Sequence, residues 1–244
     1  MNGLMLHCGA EEITRENLKN LPIPSATETH FPVEHHRFVD LTERALNSYG
    51  FKIAEESYGV TKNGDRFFGL MKLQDENNPE FQNVVGLRGA HDKKFARELV
   101  MGSNVFVCDN LCFSGEIKVA RKHTKKINSH LPGLVFEACE KLELGFAKQN
   151  ERIKTYKNFD LSSNLQVNDL TVRMAENGAI TFQQIKNVLN EYRNPRHVEF
   201  NDKNGWSYMN AITETSKGIP LDTLCKRTQI MHEILDVECK VENN

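Results

Sequence analysis

The sequence predicts an α+β protein with an antiparallel or mixed sheet in the first half, packed by one long helix, and a helical second half. Three observations predict it. Strand-like runs crowd between residues 50 and 125. Helical apolar spacing takes over from Leu131. Between two of the strand-like runs stands Asn63-Gly64, the strongest short-range signal for a hairpin. At 244 residues, 39% hydrophobic and 26% charged, the chain is long enough to bury a core without metal or disulfide support.

Residues 1–32 read as an arm, with a short helix over Ile13–Asn20 and then LPIPSATETHFP, whose prolines favour extended backbone. Residues 33–130 form the sheet-rich half. It opens on a helix over Pro32–Tyr49, with Phe38, Leu41, Ala45 and Leu46 on one stripe and Gly50 as a left-handed cap. Strands are expected at Phe51–Val60, Arg66–Leu73, Asn83–Arg88, Asn104–Cys108 and Glu116–His123, with Gln74–Glu80 a polar loop. Gly89-Ala90-His91-Asp92 reads as a turn, and Phe95–Val100 fits strand and helix alike. In the last strand apolar and basic residues partly alternate, which predicts one buried and one cationic sheet face.

The helical half, residues 131–236, begins with a long helix over Leu131–Lys157. Further helices are expected over Val167–Ala175, from the Thr181–Gln184 capping box to Arg193, over Trp206–Lys217 and over Leu221–Leu235. Residues 237–244 read as a frayed acidic tail. The whole is expected to be a single domain.

Charge is distributed unevenly. The chain carries a net −2, yet from Val85 to His130 nine Lys/Arg stand against four acids, a balance of +5 that leaves −7 for the remainder. The six cysteines are scattered without an export signal, so free thiols are expected, and Cys108 on its apolar run reads as a small core residue. No run is long and apolar enough for a membrane span, and a cytoplasmic protein is expected.

Several strings carry a family resemblance: Pro32-Val-Glu-His35, Phe67-Phe-Gly-Leu70, Gly86-Leu-Arg88 with His91-Asp92-Lys93, Val105-Phe-Val-Cys-Asp-Asn-Leu111, Phe113-Ser-Gly-Glu116, Arg121-Lys-His-Thr124, and Trp206-Ser207 with Asn210-Ala211. With them the chain resembles an uncharacterised phage- and plasmid-related family, a domain of unknown function found on mobile elements. The resemblance implies a mobile-element setting, with a phage protein acting inside a bacterium. Gly89-Ala90 stands where the resemblance would place Asn-Ser.

Three chemistries are open to these residues. The first is nucleic-acid binding in a recombination, replication or host-takeover setting, by single-strand binding or annealing. Lys118, Arg121, Lys122, His123, Lys125 and Lys126 would form a phosphate-contacting ridge, with Arg88, Lys93, Lys94 and Arg97 folded over the same sheet. No aromatic residue interleaves the ridge to stack bases, and a solvated face balanced by acidic helices reads equally well. The second is a nuclease that would need Mg2+, with Glu116 and Lys118 on one strand and Asp92 or Asp109 upstream.

The third is a metal site drawing on His35, His36, His91, His123 and His130. A hydrogen-bonded His91-Asp92 pair that fixes a turn is the plainer meaning of that dipeptide. Likewise Trp206 and Asn210 read as anchors of the helical half. No phosphate-binding loop, dinucleotide fingerprint or nucleophile elbow occurs. The expectation is therefore a non-catalytic protein without metal or cofactor that binds nucleic acid. A protein that inhibits a host or defence factor through its acidic exterior is the competing class. The oligomeric state is left open.

Overall fold

The computed structural model describes residues 10–74, 80–105 and 110–241. Its centre is an antiparallel six-stranded meander in strand order β1 to β6. These strands are β1 (Glu11–Glu12), β2 (Ile53–Val60), β3 (Arg66–Leu73), β4 (Phe81–Ala90), β5 (Arg97–Val105) and β6 (Asn110–Arg121). The hairpin expected at Asn63-Gly64 joins β2 to β3, with Gly64 at φ +74°. Left-handed backbone there is what glycine supplies without strain.

Around the sheet lie α1 (Arg15–Leu18), α2 (His35–Ser48), α3 (Ile127–Glu140), α4 (Leu142–Asn158), α5 (Asn164–Glu176), α6 (Ile185–Arg193), α7 (Gly205–Thr215) and α8 (Leu221–Glu238). Successive strand residues point to opposite faces. On one face Phe67, Met71, Val85, Leu87, Leu99 and Met101 pack against α2 and α3. On the other, Phe68, Leu70, Val84, Val100 and Phe113 gather around Leu224 of α8. Both faces are thus apolar, which corrects the expectation of a cationic face.

At the β6 edge, the Thr228 hydroxyl donates to the Phe113 carbonyl at 2.9 Å, so α8 caps backbone that no further strand among the described residues pairs. Phe81, Val105 and Cys112 of the sheet share an apolar cluster with Trp206, Tyr208, Met231 and Leu235 of the helical half.

Several expectations are corrected. β4 continues through Gly89 and Ala90, paired with Phe67 and Arg66, so the turn begins only at His91. From Arg97 the ambiguous run is strand. Between Val100↔Lys118 and Gly102↔Phe113 the register shifts, setting residues 114–117 of β6 against Met101 alone. The long helix is two, meeting at Lys141, because its stripe serves two cores. Leu131, Val135, Cys139 and Leu142 face the sheet-and-α2 cluster, whereas Ile153 and Tyr156 face the helical one.

The chain's acidic end is helical through Glu238 rather than frayed. Glu238 pairs with Arg173 at 2.7 Å and Cys239 is buried, while residues 242–244 lie outside the described ones. Among the described residues of the arm only Arg15–Leu18 is helical, and Glu11–Glu12 join the sheet.

Candidate nucleic-acid interface

A meander alternates its connections between the two ends of the sheet, so three separate segments meet at one end. The register brings them together: Arg66 lies opposite Ala90, and Arg97 opposite Arg121. The β2–β3 hairpin, the β4–β5 turn and the segment leaving β6 therefore stand side by side. They carry Lys62, then Lys93 and Lys94, then Lys122, Lys125 and Lys126, all six exposed. Among the described residues none of these six ammonium groups is held in an ion pair.

The turn that presents Lys93 and Lys94 is built by Asp92. Its carboxylate accepts the Lys94 N–H at 3.2 Å and the Arg66 Nε–H at 2.8 Å, and Lys93 takes φ +66°. Those bonds hold the Asp92 carboxyl below its ordinary range, against the opposing effect of partial burial. His91 does not pair with Asp92, as the dipeptide suggested. It turns inward, and its Nε2 donates to the Val33 carbonyl at 2.8 Å.

Beneath the lysines lies a buried polar cluster. Arg97 is fully buried, and His30, His35, His91 and His123 are 7%, 2%, 5% and 5% exposed. The rings of His35 and His91 stack at 4.1 Å, and those of His30 and His123 at 5.1 Å. The Arg97 guanidinium lies 5.3 Å from the Phe38 ring centre; its Nη2 donates to the Val33 carbonyl and to His35 Nδ1.

Burial, with the Arg97 charge second, pushes the His35 imidazole down to about 2 and that of His123 down to about 3. Burial lowers His30 and His91 as well. It brings Arg97 down to about 9, against the pull of Glu34, so at neutral pH the cluster is one cation among neutral rings.

Of the residues expected to bind nucleic acid, Lys93, Lys94, Lys122, Lys125 and Lys126 come together on the surface. Arg121 lies half-buried below them, its Nη2 3.1 Å from His130 Nδ1. Arg97 and His123 are corrected to interior residues, because strand alternation turns Arg97 toward the α2 face. Arg88 is corrected too: it pairs with Glu98 at 2.8 Å and lies over the Phe95 ring. Lys62 escaped the sequence reading, although its place beside the Asn63-Gly64 turn was a signal that it sits at a hairpin tip.

For the nuclease, Asp92 is engaged by Arg66. The Asp109 position and the Glu116 and Lys118 side chains lie outside the described residues, as do Cys108 and most of the Gln74–Glu80 loop. Among the described residues no three His, Cys, Asp or Glu side chains form a group that could hold a metal ion.

A second polar chain joins the sheet to the helical half. Cys112 Sγ lies 3.1 Å from His232 Nε2, His232 Nδ1 lies 3.1 Å from the Tyr156 hydroxyl, and that hydroxyl donates to Asp236 at 2.5 Å. Arg152 pairs with Asp236 at 3.0 Å. Burial pushes the Cys112 thiol up to about 12 and, aided by the Arg152 charge, the His232 imidazole down to about 3. A neutral thiol facing a neutral imidazole is a structural hydrogen bond, not an activated nucleophile. Trp206 likewise packs on Phe81, as an anchor should.

The chain belongs to the DUF932 family, a domain of unknown function, whose match runs over residues 24–218. All six lysines and the whole buried cluster fall within it. No curated protein and no solved structure matches the chain. Among the described residues no helix is long and apolar enough to cross a membrane.

Proposed function

We propose that the protein binds nucleic acid non-catalytically, gripping phosphates with the cationic end of its sheet. The observation that carries this reading is the convergence of Lys62, Lys93, Lys94, Lys122, Lys125 and Lys126 from three segments, all exposed and without ion pairs among the described residues. Cations that serve a fold are usually tied to acids, as Arg15 is to Asp40 and Glu56 at 2.8 and 3.3 Å. Mobile, untied ammonium groups on short loops are what a polyphosphate backbone requires.

Among the described residues no aromatic side chain is exposed beside the lysines, so the contacts are to phosphate and carry little sequence preference. A single strand, which can bend to follow three loops, suits such a surface better than a rigid groove reader. The mobile-element setting is part of the proposal and rests on the likeness of the strings around Val105–Glu116 and Arg121–Thr124. With it goes action in the cytoplasm of a bacterial host.

The test is binding of the purified protein to labelled single- and double-stranded DNA and RNA at two salt concentrations. Replacing the six lysines with Gln should weaken binding at least tenfold and leave thermal unfolding unchanged, since none of the six makes a contact that holds the fold. Replacing Lys154, which pairs with Glu151 on α4, should do nothing. Equal affinity of the six-lysine variant would refute the proposal.

A further inference from the structure

We infer that the buried cluster under the lysines is a binding site for one phosphate group, held by Arg97, His123 and His91. The inference comes from which atoms lack partners. Arg97 is 0% exposed, and its Nη2 is occupied by the Val33 carbonyl and His35 Nδ1, with His91 Nε2 further off at 3.4 Å. Among the described residues its Nε and Nη1 have no hydrogen-bond partner, and neither do His91 Nδ1, His123 Nε2 and His30 Nε2.

The hydrogen bonds that are made fix the tautomers. His123 Nδ1 accepts the Val33 N–H at 3.3 Å, so the ring's proton is on Nε2, which is left as a donor. His91 Nε2 donates to the Val33 carbonyl at 2.8 Å, so Nδ1 is left as an acceptor. His35 is complete: Nε2 donates to the Gly64 carbonyl at 3.1 Å and Nδ1 accepts from Arg97. The unmatched set is therefore the N–H groups of Arg97 Nε and Nη1, that of His123 Nε2, and one lone pair on His91.

The Arg97 guanidinium feels the charge of Glu34, yet among the described residues it makes no hydrogen bond to a carboxylate, and a buried cation whose N–H groups lack acceptors favours an anion beside it. Phe38 covers a face of the guanidinium but cannot accept the hydrogens at its edge. The ligand must offer several acceptor oxygens and one acidic O–H for His91 Nδ1. A phosphate monoanion or a singly protonated phosphomonoester meets both demands, whereas sulfate lacks the hydrogen. The strand leaves room for the guanidinium, since a Cβ at Gly89 would stand 2.6 Å from Arg97 Nη1. The arm that covers the cluster is tied to it by the Phe31 N–H to His123 carbonyl bond at 2.9 Å and by Val33.

The phosphate has two possible sources, a free inorganic ion or the terminal phosphate of a strand held by the lysines above; only the second rests on the nucleic-acid reading. Titration calorimetry of the full chain with inorganic phosphate, at ionic strength fixed with sodium chloride, tests the site itself. One phosphate per chain should bind, with affinity falling roughly tenfold or more in Arg97→Gln. Sulfate should bind less tightly by a similar factor. The six-lysine variant should still bind one inorganic phosphate per chain, weakened less than Arg97→Gln, since the lysines act on the cluster only through screened charge.

Should Arg97→Gln fail to fold, the imidazole 15N signals of the unsubstituted protein decide: phosphate must shift those of His91 and His123. The source is then read by comparing 5′-phosphorylated with 5′-hydroxyl oligonucleotides. Tighter binding of the phosphorylated form identifies the strand terminus, and equal binding identifies the free ion. Absence of phosphate binding, binding unaltered in a folded Arg97→Gln, or unmoved imidazole signals would overturn the inference, whatever the lysines bind.

Discussion

Acidification within the physiological range should destabilise this fold through its buried imidazoles. In the unfolded chain a histidine titrates near 6.5, whereas burial holds His35 down to about 2 and His123 and His232 each to about 3. The folded affinity for protons is the lower one, so as pH falls below about 6.5 the unfolded chain takes up protons that the folded chain refuses. This contribution is fully present above that value and lost progressively below it. Between about pH 7.5 and about pH 5.5 each such ring removes roughly 1.4 kcal/mol, so the three remove about 4 kcal/mol.

That loss is a large part of the 5–15 kcal/mol that roughly bounds most folds. His30 and His91, lowered by burial too, act with the same sign. Asp92 and Glu238 are held below their ordinary values and titrate beneath this window. Urea unfolding followed by circular dichroism at three pH values should show the midpoint falling steadily on acidification. Replacing His232 with Gln should flatten the trend by roughly a fifth to a third, according to how much His30 and His91 add. A midpoint that does not move would mean that the imidazoles are solvated, and would refute the buried cluster.

Two glycine substitutions should act in opposite directions. A Cβ at Gly102 would stand 2.5 Å from the Cys112 carbonyl oxygen and 2.8 Å from the Phe113 ring, so Gly102→Ala should destabilise by roughly 3 kcal/mol. Gly133 on α3 has nothing within 4 Å of that position, and Gly133→Ala should stabilise by about 0.5–1 kcal/mol. Urea midpoints check both. Cys112 should resist thiol reagents at neutral pH until the chain unfolds; labelling at the rate of an exposed thiol would contradict its place in the core. Tyr156→Phe removes the hydroxyl shared by His232 and Asp236 and should lower stability by about 1–3 kcal/mol in the same urea assay.

Local signals in the sequence were sound. Asn63-Gly64 made its hairpin, Gly50 ended its helix at φ +81°, and Thr181 and Gln184 formed their capping box. Long-range events were not legible. Gly89-Ala90 resembled a turn because both residues are small; Gly89 is in fact a strand residue with Arg97 lying against it. Arg97 resembled a surface cation because nothing local shows that His30, His35, His91 and His123, more than ninety residues apart at the extremes, close around it. The joint at Lys141 likewise has no glycine or proline to mark it, since it answers to two separate cores. The lysines were found because charge clustering is local, and Lys62 was missed because its partners are brought to it by the meander.

The salt dependence of nucleic-acid binding tests the central claim most directly. If the six lysines each neutralise a phosphate of a single strand, the logarithm of the affinity should fall against the logarithm of salt concentration with a slope near −4, at about −0.7 per contact. Replacing Lys122, Lys125 and Lys126 with Gln should roughly halve that slope. A flat dependence, or a slope unchanged by those substitutions, would contradict a phosphate grip at this end of the sheet.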